Sequence, residues 1–486
     1  MELTRLTVSE TLKKIKGKEI GIAELVSAYL DQIENLNKTI GAYITVCRED
    51  CEKRAEDIQN KLDTGENLPL AGIPAALADN IVTRGVLTTC ASKMLHNFIP
   101  PYDSTVSEKL RNSGAVLLGK LNMDEFSAGN SNENSYYGPV KNPWDFERVP
   151  GGSNGGAAAA VAANMACFAV GSDACGSLRQ PASFCGVVGL KPTYGLVSRY
   201  GLIAFASSFE QIGPITRSVE DAAVVLNAIA GHDPKDSVSA KSRHPDYTVF
   251  LNNDIKGIRM GLPKEYIGTG IQADVRQRLF EALKVFESMG AVVEEVSFPM
   301  TEYAVSAYYI LSSVEAASNL GRYDGIRYGY RAEHYPDAGD LYKKTRSEGF
   351  GFGVKRTIML GTYFTGRDCY DSFYKKALKA RRLVTEDFEK AFDKVDIIVC
   401  PTVPVTAFRA GEKADDPIGM HMSYVYTVAA NIAGFCAISV PNGTDSKGLP
   451  TGLQLIGKPF DEGTLLKAAH AFEKNTRFDK PFDVIC

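Results

Sequence analysis

Apolar residues recur at helical spacing in two parts of the chain. One series consists of Leu25, Tyr29, Ile33 and Leu36, and the other of Val275, Leu279, Leu283 and Phe286. Residues three or four positions apart share one face of a helix, so each series predicts an amphipathic helix. Gly290 is placed to end the second helix, and Thr7 with Glu10 predicts a capping box at the start of an earlier one.

Short apolar runs lie between these helical segments. They span residues 73–77, 115–118, 291–296 and 396–400, and each is long enough for a buried strand. Helices that alternate with short apolar strands predict an α/β fold. We expect a central mixed, mostly parallel β-sheet covered by helices on both faces.

The same pattern suggests how the chain is divided. Residues 1–65 are predicted to form an N-terminal helical layer, and residues 66–486 to form the domain that contains the sheet. The most polar stretch, 232–254, predicts an insertion around 232–345.

Composition narrows the functional class. The chain has 54 basic and 58 acidic residues, a formal net charge of −4, so it has no basic surplus for direct nucleic-acid binding. The ten cysteines and six histidines lack zinc-site spacing, and we expect reduced thiols and no metal. No secretory signal is visible, so a cytoplasmic location is expected.

Residues 149–172 carry no charge and are long enough to cross a bilayer. Their glycines and the Ser153-Asn154 pair are poorly suited to lipid, so a membrane span is the less favoured interpretation. Gly151, Gly152, Gly155 and Gly156 instead permit close backbone approach before a small-residue helix. Alone, this loop predicts a structural turn first, and it fits an anion site as well as a hydrolase site.

A second loop, 171–182, changes this interpretation. Its sequence, GSDACGSLRQPA, resembles the signature motif of the amidase signature family, as do PGGS at 150–153, GIP at 72–74 and LNMDEF at 121–126. Within that family the chain is most similar to the A subunits of glutamyl-tRNA(Gln) or aspartyl-tRNA(Asn) amidotransferases. That similarity is carried by TTCASKML (88–95), KPTYG (191–195), DGIRYGY (324–330) and GLQLIGKPFDE (452–462).

The resemblance implies the amidase signature fold and a serine-serine-lysine mechanism. By position, Ser177 is the nucleophile. Ser153, which follows a cis peptide in the family, relays the proton of Ser177 to a neutral lysine. A serine hydroxyl needs such a base to become a useful nucleophile. Backbone N–H groups of the second loop would stabilise the oxyanion: Ala174, Cys175 and Gly176.

This sequence departs from the family at the lysine. The GIP segment continues to Ala78, Asp79 and Asn80, so alanine stands where the family has its base. A methyl group cannot accept a proton. Lys93 and Lys120 lie in segments that the family also has without using them as the base.

Two substrate-binding positions also differ. Thr357 replaces an arginine that would bind the glutamine carboxylate, although Arg356 precedes it, and Tyr424 replaces an aspartate that would meet the substrate ammonium. Ala174 and Cys175 replace threonine and glycine in the second loop. Cys175 itself is a weak alternative nucleophile, because no histidine pairing is evident.

The resemblance implies an A-type subunit that works with B-type and C-type subunits in converting Glu-tRNA(Gln) or Asp-tRNA(Asn) to Gln-tRNA(Gln) or Asn-tRNA(Asn). ATP and Mg²⁺ would be used by the partner, which would also contact the tRNA; this chain needs no cofactor of its own. The altered positions suggest a natural paralogue with impaired or lost glutamine hydrolysis, although an engineered Ala78 is an alternative. A stand-alone amidase for another small amide and a purely structural protein with this fold are the competing functions.

Overall fold

The computed structural model describes residues 3–241, 244–268, 270–414 and 416–476. The strands in these ranges are β1 Tyr43–Val46, β2 Pro74–Ala78, β3 Val116–Leu121, β4 Phe168–Asp173, β5 Val188–Lys191, β6 Gln211–Thr216, β7 Arg259–Pro263, β8 Val292–Val296, β9 Ile397–Pro401, β10 Ala437–Thr444 and β11 Pro450–Gly457. The α-helices are α1 Val8–Lys16, α2 Ile22–Ile40, α3 Arg48–Asp63, α4 Thr105–Asn112, α5 Gly155–Ala162, α6 Arg179–Cys185, α7 Val219–Ile229, α8 Ala273–Ser288, α9 Thr301–Asn319, α10 Ala338–Gly349, α11 Phe352–Phe364, α12 Lys375–Phe392, α13 Pro417–Met422, α14 Val428–Ala433 and α15 Glu462–Asn475.

Within the described ranges the strands form one eleven-stranded sheet in the order β1-β3-β2-β4-β6-β5-β10-β11-β9-β7-β8. The α/β class and the mixed sheet are confirmed. The expectation of a mostly parallel sheet is wrong: β2 pairs in parallel with β3 and β4, and β7 with β8 and β9, but the other neighbours are antiparallel. The physical reason is clearest at β10 and β11, where the connection at 445–449 is too short for a crossover.

Both faces of the sheet are covered, as predicted. Side chains of successive strand residues point to opposite faces. In β9, Ile397 and Val399 pack into one hydrophobic core with the N-terminal helices and α15, whereas Ile398 and Cys400 pack into another with α9, α12 and α14. The sheet therefore separates two cores.

The N-terminal helices confirm the helical spacing but not a purely helical layer. Thr7 Oγ1 accepts a hydrogen bond from Glu10 N at 3.2 Å, and Thr7 N donates to Glu10 Oε2 at 2.9 Å, which forms the capping box of α1. Gly41 adopts a φ of +74° and ends α2, so the chain turns back to form β1 along the edge of the sheet. The division at residue 65 and the insertion around 232–345 stay predictions.

The uncharged segment 149–172 is not one helix. It forms a loop, the short helix α5 and the strand β4, all buried, so a membrane span there is wrong. Across the described chain, no helix combines the length and the apolar character that a bilayer crossing requires. A Cβ at Gly156 would lie 2.3 Å from Asn122 O, so the small residues do serve close backbone packing.

Two pairs of distant motifs are in contact. Tyr330 N donates to Met94 O at 2.7 Å, which joins DGIRYGY to TTCASKML. Thr193 N donates to Glu462 Oε1 at 2.8 Å, which joins KPTYG to the end of GLQLIGKPFDE. Motifs that are far apart in the sequence are therefore held together in the fold.

Candidate active site

The three positions of the predicted proton relay lie at one edge of the sheet. Ala78 is the last residue of β2, Ser177 follows β4, and Ser153 precedes α5. Strands β2 and β4 are parallel neighbours, so their carboxyl ends meet at the same edge. All three residues are buried, with exposed fractions of 1%, 3% and 0% for Ala78, Ser177 and Ser153.

Hydrogen bonds to Ser172 draw these segments together. Asn80, two residues after Ala78, donates through Nδ2 to Ser172 Oγ at 2.9 Å. Asn154, next to Ser153, donates through Nδ2 to Ser172 O at 2.6 Å and to Ser177 O at 3.1 Å. The Gly152–Ser153 peptide bond is cis, as the resemblance implies.

The bridging hydroxyl has no partner within hydrogen-bond distance in the described part of the chain: Ser153 Oγ contacts neither the Ser177 hydroxyl nor an amine in that way. Lys120 is fully buried on β3, and its Nζ donates to Ile81 O and to Thr88 Oγ1. The Nζ of Lys93 lies 4.2 Å from the centre of the Tyr330 ring. Neither lysine stands in for the amine that Ala78 lacks.

Only part of the predicted oxyanion donor set is available. Gly176 N donates to Asp173 Oδ1 at 2.6 Å, so this N–H group is already satisfied within the loop, and its assignment as an oxyanion donor stays a prediction. The carboxylate of Asp173 folds back on the loop and satisfies this N–H group. No acceptor among the described residues binds the N–H groups of Ala174 and Cys175, which stay candidates for this role.

A buried ion pair braces the second loop. Arg179 Nε lies 3.0 Å from Asp173 Oδ2, and both side chains have an exposed fraction of 0%. Burial alone would raise the pKa of Asp173, but Arg179 outweighs it and holds that pKa below its usual value. Arg179 also donates to Gln454 Oε1 at 2.6 Å and to Asn431 Oδ1 at 2.5 Å, so one guanidinium connects the loop to β11 and α14.

A cavity of about 250 Å³ contains both altered substrate positions. Thr357 and Tyr424 line it together with Cys175, whereas Ser177, Ser153 and Ala78 do not. Among the described residues, three charged side chains also line it, and the sequence motifs pointed only to the first of them: Arg356, Lys413 and Glu133. A cation therefore remains beside the position of the lost arginine.

The replacement side chains are held by local bonds. Tyr424 Oη donates to Gly129 O at 3.0 Å, and burial raises the pKa of this phenol well above its usual value. Thr357 Oγ1 donates to Gly353 O at 3.0 Å within α11. A neutral phenol and a threonine hydroxyl thus occupy the two positions at which the resemblance predicts charged side chains.

Two buried acids from LNMDEF organise the site, a role that the motif match left unassigned. Asp124 accepts from Asn132 N at 2.9 Å and from Asn134 N at 3.1 Å, and burial raises its pKa to about 6. Glu125 accepts from Gly351 N at 2.9 Å, and burial raises its pKa to about 7. Glu125 therefore anchors the start of α11, which carries Thr357.

Cys175 is expected to be an unreactive thiol. It is 5% exposed, and burial raises its pKa to about 12. At neutral pH its thiolate fraction is then on the order of 10⁻⁵, and the thiolate is the reactive form.

Iodoacetamide should modify Cys175 at least about tenfold more slowly than the half-buried Cys369, as measured by peptide mass spectrometry after labelling. Preferential labelling of Cys175 would contradict this prediction and support Cys175 as a nucleophile.

No metal centre is evident in the ranges that the structure describes, where no group of three or more His, Cys, Asp or Glu side chains could hold an ion. Nine cysteines there are free thiols, and Cys486 lies outside the described residues. The expectation that this chain needs no metal or cofactor stays a prediction.

The chain is similar in sequence and in fold to known amidases. The amidase family model matches residues 24–466. The chain is 57% identical over 481 residues to the A subunit of the glutamyl-tRNA(Gln) amidotransferase of Carboxydothermus hydrogenoformans, with 99% of each chain covered. The crystal structure of the corresponding protein from Thermotoga maritima matches with a TM-score of 0.82 and 39% identity, covering 98% of this chain and 96% of that one. A bacterial aryl acylamidase matches with a TM-score of 0.85 and 25% identity, covering 99% and 98%.

Proposed function

Because this chain belongs to the amidase signature family, we propose that it is the A-type subunit of a tRNA-dependent amidotransferase and that its glutamine hydrolysis is impaired or lost. Full-length similarity to the A subunits of glutamyl-tRNA(Gln) amidotransferases supports the first part. The chain would bind partners of the B type and the C type in the cytoplasm. The B-type subunit would use ATP and Mg²⁺ and contact the misacylated Glu-tRNA(Gln) or Asp-tRNA(Asn).

One observation carries the second part of the proposal. Ser153 Oγ is buried beside a segment that ends in Ala78, and it has no hydrogen-bond partner in the described chain. A proton taken from Ser177 would have no amine to receive it. By analogy with other catalytic triads, losing one member costs roughly 10⁴ to 10⁶ in turnover.

The cavity supports the same conclusion independently. Glutamine carries an α-carboxylate and an α-ammonium, which a site recognises best with opposite charges. Tyr424 offers no negative charge to the ammonium, and Thr357 offers no bidentate donor to the carboxylate. Arg356 also lines the cavity, so a weakened binding of the glutamine carboxylate would remain. This chain would then stabilise a partner that uses free ammonia or another amine.

Co-expression with the B-type and C-type subunits tests both parts. We expect the three chains to purify as one complex and to release ammonia from glutamine at no more than about 10⁻³ of the rate of a complex that retains the lysine. A glutamate dehydrogenase-coupled assay measures the released ammonia. Robust ammonia release would contradict the loss of hydrolysis, and failure to form a complex would contradict the proposed place of this chain in the amidotransferase.

Two other functions make different predictions. A stand-alone amidase for another small amide would hydrolyse its substrate without partners, and the aryl acylamidase neighbour shares the fold. Restoration of hydrolysis by Ala78→Lys in the isolated chain would favour it. A purely structural protein would neither join a complex nor alter tRNA-dependent amidation.

A further inference from the structure

Three buried polar side chains beside Ala78 have oxygen atoms without hydrogen-bond partners in the described chain: Ser153 Oγ, Asn80 Oδ1 and Asn154 Oδ1. Their residues are 0%, 1% and 0% exposed. A buried polar atom left without a partner is energetically unfavourable, so three in one region indicate a bound donor.

The orientation of the Asn154 side-chain amide shows that a bound group has to donate a hydrogen bond. Its Nδ2 donates to two carbonyl oxygens, Ser172 O and Ser177 O, so Oδ1 must be the free end of the amide. An amide oxygen can only accept. Asn80 Nδ2 lies 2.9 Å from Ser172 Oγ and 3.3 Å from Ser127 Oγ, and in this orientation of the amide its Oδ1 is left as an acceptor.

Two buried carboxyl groups lie near these acceptors. Asp79 directly follows Ala78, and its Oδ1 also lacks a partner. The carboxylate of Asp124 lies against the loop of Ser153: a Cβ at Gly152 would be 2.3 Å from Asp124 Oδ2, and Asp124 N donates to Ser153 O at 3.0 Å. No basic side chain in the described ranges forms an ion pair with Asp124, and the only buried amine beside Asp79, that of Lys120, is held by Ile81 O and Thr88 Oγ1.

The cavity of the candidate active site borders this region. Ser127 lines the cavity of about 250 Å³, and its Oγ accepts from Asn80 Nδ2. Ammonium has the tetrahedral donors and the positive charge that such acceptors favour.

From this geometry we propose that the region beside Ala78 binds an ammonium ion or a small primary alkylammonium through Ser153 Oγ, Asn80 Oδ1 and Asn154 Oδ1. The site deepens the proposed function, on which it rests, because a chain without its own amine would hold free ammonium near the cavity. Each of the three acceptors takes one N–H, and the carboxylate of Asp124 balances the charge.

Thermal unfolding of the purified full-length chain tests this site. Ammonium chloride and methylammonium chloride are titrated at constant ionic strength against sodium and tetramethylammonium chloride. We expect a saturable rise in Tm with ammonium and methylammonium only, because a ligand that binds only the folded state stabilises it. Sodium offers no N–H donor, and tetramethylammonium is too bulky and has none.

Variants locate the site. Ser153→Ala removes one acceptor and is expected to weaken the apparent ammonium affinity about tenfold or more, as for the loss of a hydrogen bond to a charged group. Ala78→Met fills the space without adding a donor and should abolish the response. Ser183→Ala is the matched control, since Ser183 Oγ is also buried without a partner but lies on α6, and this variant should respond like the native chain.

Three results would overturn the proposal: no ammonium-specific stabilisation, an equal response to sodium or tetramethylammonium, or an unchanged response in both Ser153→Ala and Ala78→Met. The first would mean that water satisfies the acceptors. Failure of the proposed function is distinguishable, because it appears as ammonia release from glutamine by the native complex and does not depend on this titration.

Discussion

Glutamine hydrolysis by the complex is expected to rise at least about 10³-fold when Ala78→Lys is combined with Thr357→Arg and Tyr424→Asp. The lysine would supply the amine that Ser153 Oγ now lacks, and the buried acceptors beside position 78 would bind its Nζ. The other two changes would restore a donor for the α-carboxylate and a charge for the α-ammonium in the cavity that both positions line. Steady-state ammonia release gives kcat and KM separately.

The design separates base chemistry from binding. Ala78→Met in the same background has a similar length but no nitrogen, so it should leave hydrolysis at the native level. Ala78→Lys alone should raise kcat while KM for glutamine stays high, because the cavity residues are unchanged. Equal rates for the lysine and methionine variants would refute the role assigned to position 78.

Arg179→Met is expected to lower the free energy of unfolding by about 3–5 kcal/mol, because it leaves the Asp173 carboxylate buried without a counter-charge. Arg179 and Asp173 are both fully buried, and the guanidinium also bonds Gln454 and Asn431. Urea denaturation measures the loss. The pKa of Asp173 is lowered in the native fold, so its stabilisation is present above the unfolded pKa of about 3.9 and is lost as the pH falls through the folded value. The difference between the two proteins should therefore shrink in acid.

A surface ion pair provides the control for this prediction. Arg259 lies 2.8 Å from Asp396, but their side chains are 42% and 29% exposed. Solvent screens such a pair, so Arg259→Met should lower the free energy of unfolding far less than Arg179→Met does. Similar losses for both variants, or a loss for Arg179→Met that does not change with pH, would contradict the role assigned to the buried pair.

Much of the secondary structure could be read from local patterns. The helix with Leu25, Tyr29 and Ile33 on one face and the capping box at Thr7 are both present as α2 and α1. The direction of strand pairing could not be read in this way. Strands β10 and β11 are antiparallel because of the short turn between them, and β1 joins the sheet through an edge that local residue order does not reveal. Register and partner choice depend on long-range backbone bonds.

The sequence by itself determined the family, the two serine positions and the absence of a lysine at position 78, since these depend only on which residues occupy a contiguous motif. The tertiary structure decided what surrounds them. In the folded protein, Gly176 N donates to Asp173 Oδ1, and Arg356 lines the cavity with Thr357 and Tyr424. Ser153 Oγ has no hydrogen-bond partner among the residues that the structure describes. These outcomes arise from contacts between segments far apart in the chain, whose distances no local pattern of residues specifies.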